Sequence, residues 1–479
     1  MTHRTGRYTP TSGIWQTVWI EHGLPDVRIA SVDVDQASRT AVKVTAHVSG
    51  SKAGAAPSTT TVPGVTATTT PTNITISSSS SSSSGSNVMY VVVDPTSGET
   101  VARAVGKAGA QVTIDIPAPV LWSPDNPHLY DLTISLIGSA SGQQAQARPL
   151  ASMLPPATPG AADAVLSYFG LRTFALDDAN VGAGGKRMQR PLLNGNYTYL
   201  IGMLDQSWWP DGLYTAPTDA ALASDLQAVA SFGMNTLRLH QKVNPQRWYY
   251  HADRLGVVVL QDAVQWFGHA AKPGVIQYFM DDMAAMIRST RNHPAVVQYQ
   301  PFNEVDCYAF FNLTFVLETV KSLDPTRLVD IDSGGYTTSE FNIGDVLDRH
   351  TYPQPGTSLV FPTATQYALL GEFGGIGAII KGKEWRIGGC HSYGEMATPA
   401  DQARTYITMA KQLLSAVANI SGAILTQVTD LESECDGFLN YDRSHKLNTE
   451  QLAAVKSANE AIIAAAAASN VDINRLAEA

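Results

Sequence analysis

Two carboxylates are set apart by their surroundings. Glu304 follows Phe302-Asn303 at the end of a β-branched run, and Glu372 follows the apolar run Ala368–Leu370 and Gly371 and precedes Phe373-Gly374-Gly375. A charge placed directly after a buried strand needs a partner or a chemical role. Two carboxyl groups about 5–5.5 Å apart, one protonated and one ionised, can cleave a glycosidic bond with retention. Burial and a neighbouring negative charge favour the protonated one, and a nearby cation favours the ionised one. Arg238 is a candidate for that cation, and Asn303 for a hydrogen bond to a sugar 2-hydroxyl. His240, His350 and Tyr352 would add polar contacts to substrate, and Trp385, with Trp208, Trp209 and Trp266, a stacking surface. Each residue also has a structural reading. Glu304 can be a solvated or salt-bridged strand end, Arg238 and His240 an ion pair and a satisfied core histidine, and the tryptophans core. Asp262 and Asp430 suit helix caps or loop anchors.

These residues need an element that brings strand ends together. From about residue 190, strand-like and helix-like segments alternate. The strand candidates are Tyr199–Gln206, Asn235–His240, Val257–Val264, Val296–Glu304, Arg327–Gly334, Val346–Pro353, Tyr367–Gly375 and Gly422–Asp430. Helical patterns fall at Asp219–Phe232, Pro245–Leu255, Tyr278–Asn292, Ala309–Ser322, Pro399–Val417 and Thr449–Ala466. Eight strands with helices or long connections between them predict a (β/α)8 barrel over 185–479, whose reactive groups sit at the C-terminal strand ends. A nucleotide-binding doubly wound sheet would carry a Gly-rich turn after its first strand. The turn here reads Ser207-Trp208-Trp209-Pro210-Asp211-Gly212 and is no phosphate cradle.

Residues 25–178 read as an all-β, Ig-like sandwich of short β-branched strands. Two inserts interrupt it, a Ser/Thr/Ala-rich stretch over 51–87 and an Ala/Pro/Gly-rich one over 138–164, both expected to be disordered. Residues 1–24 hold one strand-like run, Ile14–Glu21, too small to form a core of its own.

The chain of 479 residues is 44% hydrophobic and 15% charged, which fits a globular multidomain protein. Its net charge of -10 gives no footprint for nucleic acid. No apolar run is long enough for a membrane span, and the start lacks the apolar core of a signal peptide. Cys307, Cys390 and Cys435 show neither metal-ligand nor disulfide-framework spacing, so reduced, buried thiols are expected. Asn-x-Ser/Thr triplets occur at Asn73, Asn196, Asn312 and Asn419 and matter only in a secreted chain. Compartment and oligomeric state stay open.

Several strings together resemble glycoside hydrolase family 2, the family of β-galactosidases, β-glucuronidases and β-mannosidases. Ser12-Gly13-Ile14-Trp15-Gln16-Thr17-Val18-Trp19 is similar to the closing strand of its N-terminal sugar-binding jelly roll. Leu121-Trp122-Ser123-Pro124-Asp125-Asn126-Pro127-His128-Leu129-Tyr130 is similar to the signature of its Ig-like domain. Phe169-Gly170-Leu171-Arg172 and Leu193-Asn194-Gly195 resemble the join to the barrel. Phe302-Asn303-Glu304 resembles the acid/base motif, and Gly371-Glu372-Phe373-Gly374 the nucleophile segment. The resemblance implies removal of a terminal β-linked sugar by double displacement, with Glu372 as nucleophile and Glu304 as acid/base. It implies a carbohydrate substrate, no cofactor and, with no dedicated ligand set in view, no metal. His350-Thr351-Tyr352-Pro353 departs from the galactosidase and glucuronidase patterns, which leaves the sugar open. The family's jelly roll, of roughly 150 residues, would precede the Ser12-Gly13-Ile14 string, so 1–24 is expected to be its remnant and the chain an N-terminally truncated one. The alternative is an inactive fragment or a carbohydrate-binding or scaffold descendant.

Overall fold

The computed structural model describes residues 8–21, 24–36, 38–50, 59–62, 74–77, 86–137, 161–177, 188–265, 274–304, 310–335, 343–358 and 361–477. The chain divides into two compact units, Val18–Thr173 with Arg288–Pro294, and Met1–Thr17 with Phe174–Ile287 and Ala295–Ala479.

The first unit is a sandwich of two antiparallel sheets. One is built from β1 (Val27–Gln36), β2 (Ala41–Gly50) and a short strand, Val112–Asp115. The other has Thr100–Lys107, Asn87–Val93, Tyr130–Ile137 and Asp163–Phe169, in that order. Alternation along the strands sends Val42, Val44, Val48, Tyr90, Val92, Leu132 and Ile134 into one buried cluster. Trp122 lies fully buried, its N–H donating to Leu171 O at 2.7 Å. Thr59–Val62 pairs antiparallel with Ile74–Ser77, because both are short β-branched runs able to form a ladder. The rest of 51–85, and 138–160, lie outside the described residues.

Ile14–Glu21 is not a strand, contrary to its pattern. A lone strand has no ladder to complete and does not persist unpaired. Its apolar side chains stay in water, with Ile20 93% and Ile14 81% exposed.

The second unit carries an eight-stranded, all-parallel sheet. In chain order its strands are β3 (Leu200–Asp205), β4 (Thr236–Leu239), β5 (Val258–Asp262), β6 (Val296–Gln300), β7 (Leu328–Val329), β8 (Val346–Thr351), β9 (Tyr367–Gly374) and β10 (Gly422–Thr426). Their neighbour order is β7-β6-β5-β4-β3-β10-β9-β8. Past a break of one residue on β6 and two on β7, these strands resume as Phe302–Asn303 and Asp332–Ser333, which also pair in parallel. This is a nearly closed (β/α)8 barrel, and every strand candidate read from the sequence contains one of its strands. The run Leu369-Leu370 and its neighbours on β9 and β10 are wholly buried, as parallel strands covered on both faces require.

The helices follow local chemistry. α1 (Asp219–Ser231) starts where Thr218 accepts from Ala221 N, α2 (Gln246–Leu255) stops at Gly256 in the left-handed region, and α3 spans Val275–Thr290. α4 (Leu313–Leu323) is capped by Asn312, α5 (Pro399–Ser415) by Thr398, and α6 (Thr449–Ala477) closes the chain. Among the described residues no helix is long and apolar enough to cross a membrane.

Candidate active site

The C-terminal strand ends gather one polar cluster around a buried guanidinium. Arg238, on β4, is fully buried and grips Asp262 of β5 with two parallel bonds, Nε to Oδ1 at 3.0 Å and Nη2 to Oδ2 at 2.9 Å. Its Nη2 also donates to Asn303 Oδ1 at 2.5 Å, and Nη1 to Glu372 Oε1 at 3.1 Å and Gly371 O at 3.2 Å. Five N–H groups thus meet five oxygens, the full capacity of the side chain. Asp262 also takes His240 Nδ1 at 2.8 Å. Arg238 is therefore an ion-pair anchor, and one of its partners is the carboxylate on β9.

Glu372 is nearly buried. Its second oxygen accepts from the Tyr352 hydroxyl, which in turn contacts Thr426 Oγ1 at 2.7 Å. Burial alone would raise the Glu372 carboxyl. The charges of His350, Arg238 and His240 and the Tyr352 hydroxyl outweigh it and hold the group down at about 2. The same geometry pushes Tyr352 well up, through burial and the charge of Glu372, so its phenol keeps its proton.

Glu304 differs. Its side chain is half exposed rather than enclosed, and its backbone takes φ 53°, a left-handed conformation that is costly for a residue with a Cβ. The strained turn is held from both sides: Gln265 Oε1 accepts from Asn303 N at 2.6 Å and its Nε2 donates to Asn303 O at 2.7 Å, while Glu304 N donates to Ser333 O at 3.0 Å. The carboxyl meets His350 Nδ1 at 2.6 Å. One oxygen each of Glu304 and Glu372 and a nitrogen of His350 lie within 4.8 Å of one another. These are atoms a metal would also accept. Here both Glu372 oxygens and both His350 nitrogens already have protein partners, and the cluster reads as an ion-paired set.

The structure thus brings together Glu304, Glu372, Arg238, His240, Asn303, His350 and Tyr352. Trp385 lies on the segment after β9, 42% exposed, edge-on to Tyr441 at 5.6 Å. Trp209 and Trp208 are buried, the latter stacked on Tyr8 at 4.8 Å, and Trp266 lies outside the described residues. Asp430 is a loop anchor, its Oδ1 taking Lys446 Nζ at 2.7 Å and Gly437 N at 3.0 Å.

Two features escaped the sequence. Cys390 and Cys435 are joined as a disulfide, correcting the expectation of reduced thiols; a spacing of 45 residues carries no signal, and only the barrel brings the loops after β9 and β10 together. Cys307 lies outside the described residues. The second is Asp348, fully buried below His350. Asp348 and His350 alternate along β8 and Tyr352 follows directly after it, so a strand period of two carried one residue further would have placed all three on one face.

Two family models match this chain, "Glycosyl hydrolases family 2, TIM barrel domain" over residues 192–354 and "Glycosyl hydrolases family 2" over residues 26–148, together more than half of it. Among curated relatives, Beta-galactosidase 2 of Enterobacter cloacae is 25% identical over 255 residues, covering 51% of this chain and 22% of that protein. A beta-galactosidase of Leuconostoc mesenteroides is 21% identical over 257 residues, covering 51% and 22%. The chain therefore aligns with only about a fifth of these relatives' length. Among solved structures, a β-glucuronidase from Ruminococcus gnavus in complex with D-glucuronic acid superposes with TM-score 0.64 at 16% identity, over 91% of this chain and 68% of that one. A beta-D-glucuronidase from Dictyoglomus thermophilum gives 0.62 at 18% identity, over 91% and 69%. At these identities the superpositions speak for the fold. With both family models matched in chain order on a sandwich and a barrel, the chain belongs to glycoside hydrolase family 2.

Proposed function

We propose that this chain is a retaining β-glycosidase that removes a terminal sugar by double displacement. The observation that carries the reading is the closeness of two unlike carboxyls, one oxygen of each lying within 4.8 Å of the other. Retention uses carboxyls about 5–5.5 Å apart, whereas inversion needs room for a water and about 6.5–9.5 Å. Glu372, kept ionised by its cations, attacks the anomeric carbon. Glu304, open to solvent and to a substrate, gives a proton to the leaving oxygen and later takes one from water. Arg238 holds Glu372 and Asn303 in fixed relation, Tyr352 aims the second oxygen of Glu372, and His240 presents its other nitrogen toward a sugar. Trp385 is the candidate for contact with a group beyond the cleaved bond. The relatives named for galactosides and glucuronides support a β-linked hexose or hexuronic acid as the substrate class.

The test is a panel of chromogenic β-glycosides (galactoside, glucuronide, glucoside, mannoside) with Glu372→Gln and Glu304→Gln as controls. One sugar released by the wild type and lost in Glu372→Gln supports the assignment. Release that survives unchanged in Glu372→Gln removes that residue from the mechanism. No release from any sugar favours the reading of a fragment or a sugar-binding descendant.

A further inference from the structure

We propose that His350, wired through Ser333 to the buried carboxylate of Asp348, holds the proton that Glu304 delivers. The inference rests on the reading of Glu304 as acid/base and adds the group that supplies it.

Ser333 Oγ lies 2.5 Å from Asp348 Oδ2 and 3.0 Å from His350 Nε2. Asp348 Oδ1 already accepts from Gly371 N at 2.5 Å, so Asp348 acts as the acceptor and the single hydroxyl proton of Ser333 goes to it. Ser333 Oγ must then accept from His350, which puts a proton on Nε2. Arg238 Nη1 is 3.3 Å from the same nitrogen but has spent both its hydrogens on Glu372 and Gly371, so that approach is a contact and not a bond. With Nε2 protonated, the 2.6 Å contact of Nδ1 with Glu304 Oε1 needs a second proton between them. The pair therefore holds one mobile proton, on the imidazolium or on the carboxyl.

The surroundings fix where the imidazole sits. Its side chain is 5% exposed, and it lies against Gly334, φ 69°, where an added Cβ would come 2.3 Å from the ring. Asp330, buried beside Asp348, is held well above the usual carboxylate range by burial and by the charge of Asp348, so Asp330 keeps its proton and leaves Asp348 to accept from Ser333. Among the described residues, the charged and titratable groups facing His350 are Glu304, Glu372, Asp348 and Arg238. Burial and Arg238 disfavour the imidazolium; Glu372, Glu304 and Asp348 outweigh them and raise it, Glu372 most.

That ordering couples the proton to the chemistry. As Glu372 bonds to the anomeric carbon its charge disappears, and with it the largest electrostatic support for the imidazolium. The proton passes from Nδ1 to Glu304 and on to the leaving oxygen as the old glycosidic bond breaks. In the second step Glu304 takes a proton from water as the water oxygen attacks the anomeric carbon. Glu372 leaves as a carboxylate, and the proton returns to His350. The sum is glycoside plus water giving sugar plus alcohol. His350, Ser333 and Asp348 are positioning residues, because they act through Glu304.

The test compares two glycosides of the sugar found in the panel, one with a poor alkyl or phenyl leaving group and one with 2,4-dinitrophenyl, which departs without protonation. His350→Gln is expected to lose about 100-fold or more in kcat/KM on the poor leaving group and less than about tenfold on dinitrophenyl. Its basic limb should move to lower pH, with Ser333→Ala shifting the same limb by less. Equal losses on both substrates with an unmoved pH profile would overturn the proposal. If Glu304→Gln itself fails to discriminate between the leaving groups, the assignment of Glu304 falls instead, so the two failures are distinguishable. A measurement free of turnover uses the nitrogen-15 resonances of the His350 imidazole in the intact chain. Both nitrogens should be protonated at neutral pH, and Glu372→Gln should lower the titration midpoint; an unchanged midpoint would contradict the coupling.

Discussion

Glu372 and Glu304 are the same residue type in one cluster, yet their environments differ. Glu372 meets an arginine, a tyrosine and a histidine, and Glu304 a histidine and solvent. The sign of the pH dependence follows. A carboxyl held at about 2, below its unfolded value near 4.3, contributes stability that is present above the unfolded value and lost as pH falls toward 2. The nucleophile therefore stays ionised across the neutral range, and the acidic limb of kcat/KM is expected below about pH 4. A pH–rate profile checks this, and an acidic midpoint above pH 5 would contradict it. Removing the cation should be more damaging than removing the carboxylate. Arg238→Met leaves Asp262 and Glu372 buried without their partner, a loss expected at about 3–5 kcal/mol; urea denaturation measures it. Glu372→Gln removes a charge but keeps the shape, and is expected to stay folded while losing turnover.

Among the elements, β8 and β9 do most to build the site. β8 offers Asp348 and His350, with Tyr352 directly after it, and β9 sets Gly371 and Glu372 against them. Gly371 is there for space: a Cβ would come 2.0 Å from Asp348 Oδ2. Gly371→Ala is expected to displace Asp348 and with it Ser333 and His350, lowering activity by more than tenfold while circular dichroism stays unchanged. At the other end of the scale, Thr218 only caps α1, and Thr218→Ala should cost about 1 kcal/mol of stability with kcat/KM untouched. The strand ends were legible because the alternation of apolar strands and amphipathic helices marks a barrel, and a barrel names its catalytic face. Glu304, Glu372, Arg238 and Tyr352 could be read from that alone. Ser333 and Gln265 could not, because a serine and a glutamine in strands or loops carry no signal until their partners are in place, and Asp348 had only the strand period that sets it on the face of His350. Ile14–Glu21 shows the converse: its alternation is real, but a strand forms only where a neighbour completes its ladder.

For the whole molecule, the disulfide is the feature no local pattern foretold. Cys390–Cys435 ties the loop after β9, which carries Trp385 and Tyr393, to the loop after β10. Tyr393 stacks on Tyr352 at 4.0 Å, so the link bears on the aromatic that aims Glu372. Closing a loop of this length is worth up to about 4 kcal/mol through the unfolded chain. Thermal unfolding with and without reductant is expected to show a lower Tm on reduction, and an unchanged Tm would mean the link adds nothing to stability. The pairing of Glu304 with Glu372 is tested by proton NMR of the first-formed sugar. With a β-glycoside as substrate, retention releases the β anomer first, and the α anomer appears only by later mutarotation. An α anomer released first would mean inversion, and would contradict a mechanism built on Glu304 and Glu372 at this separation.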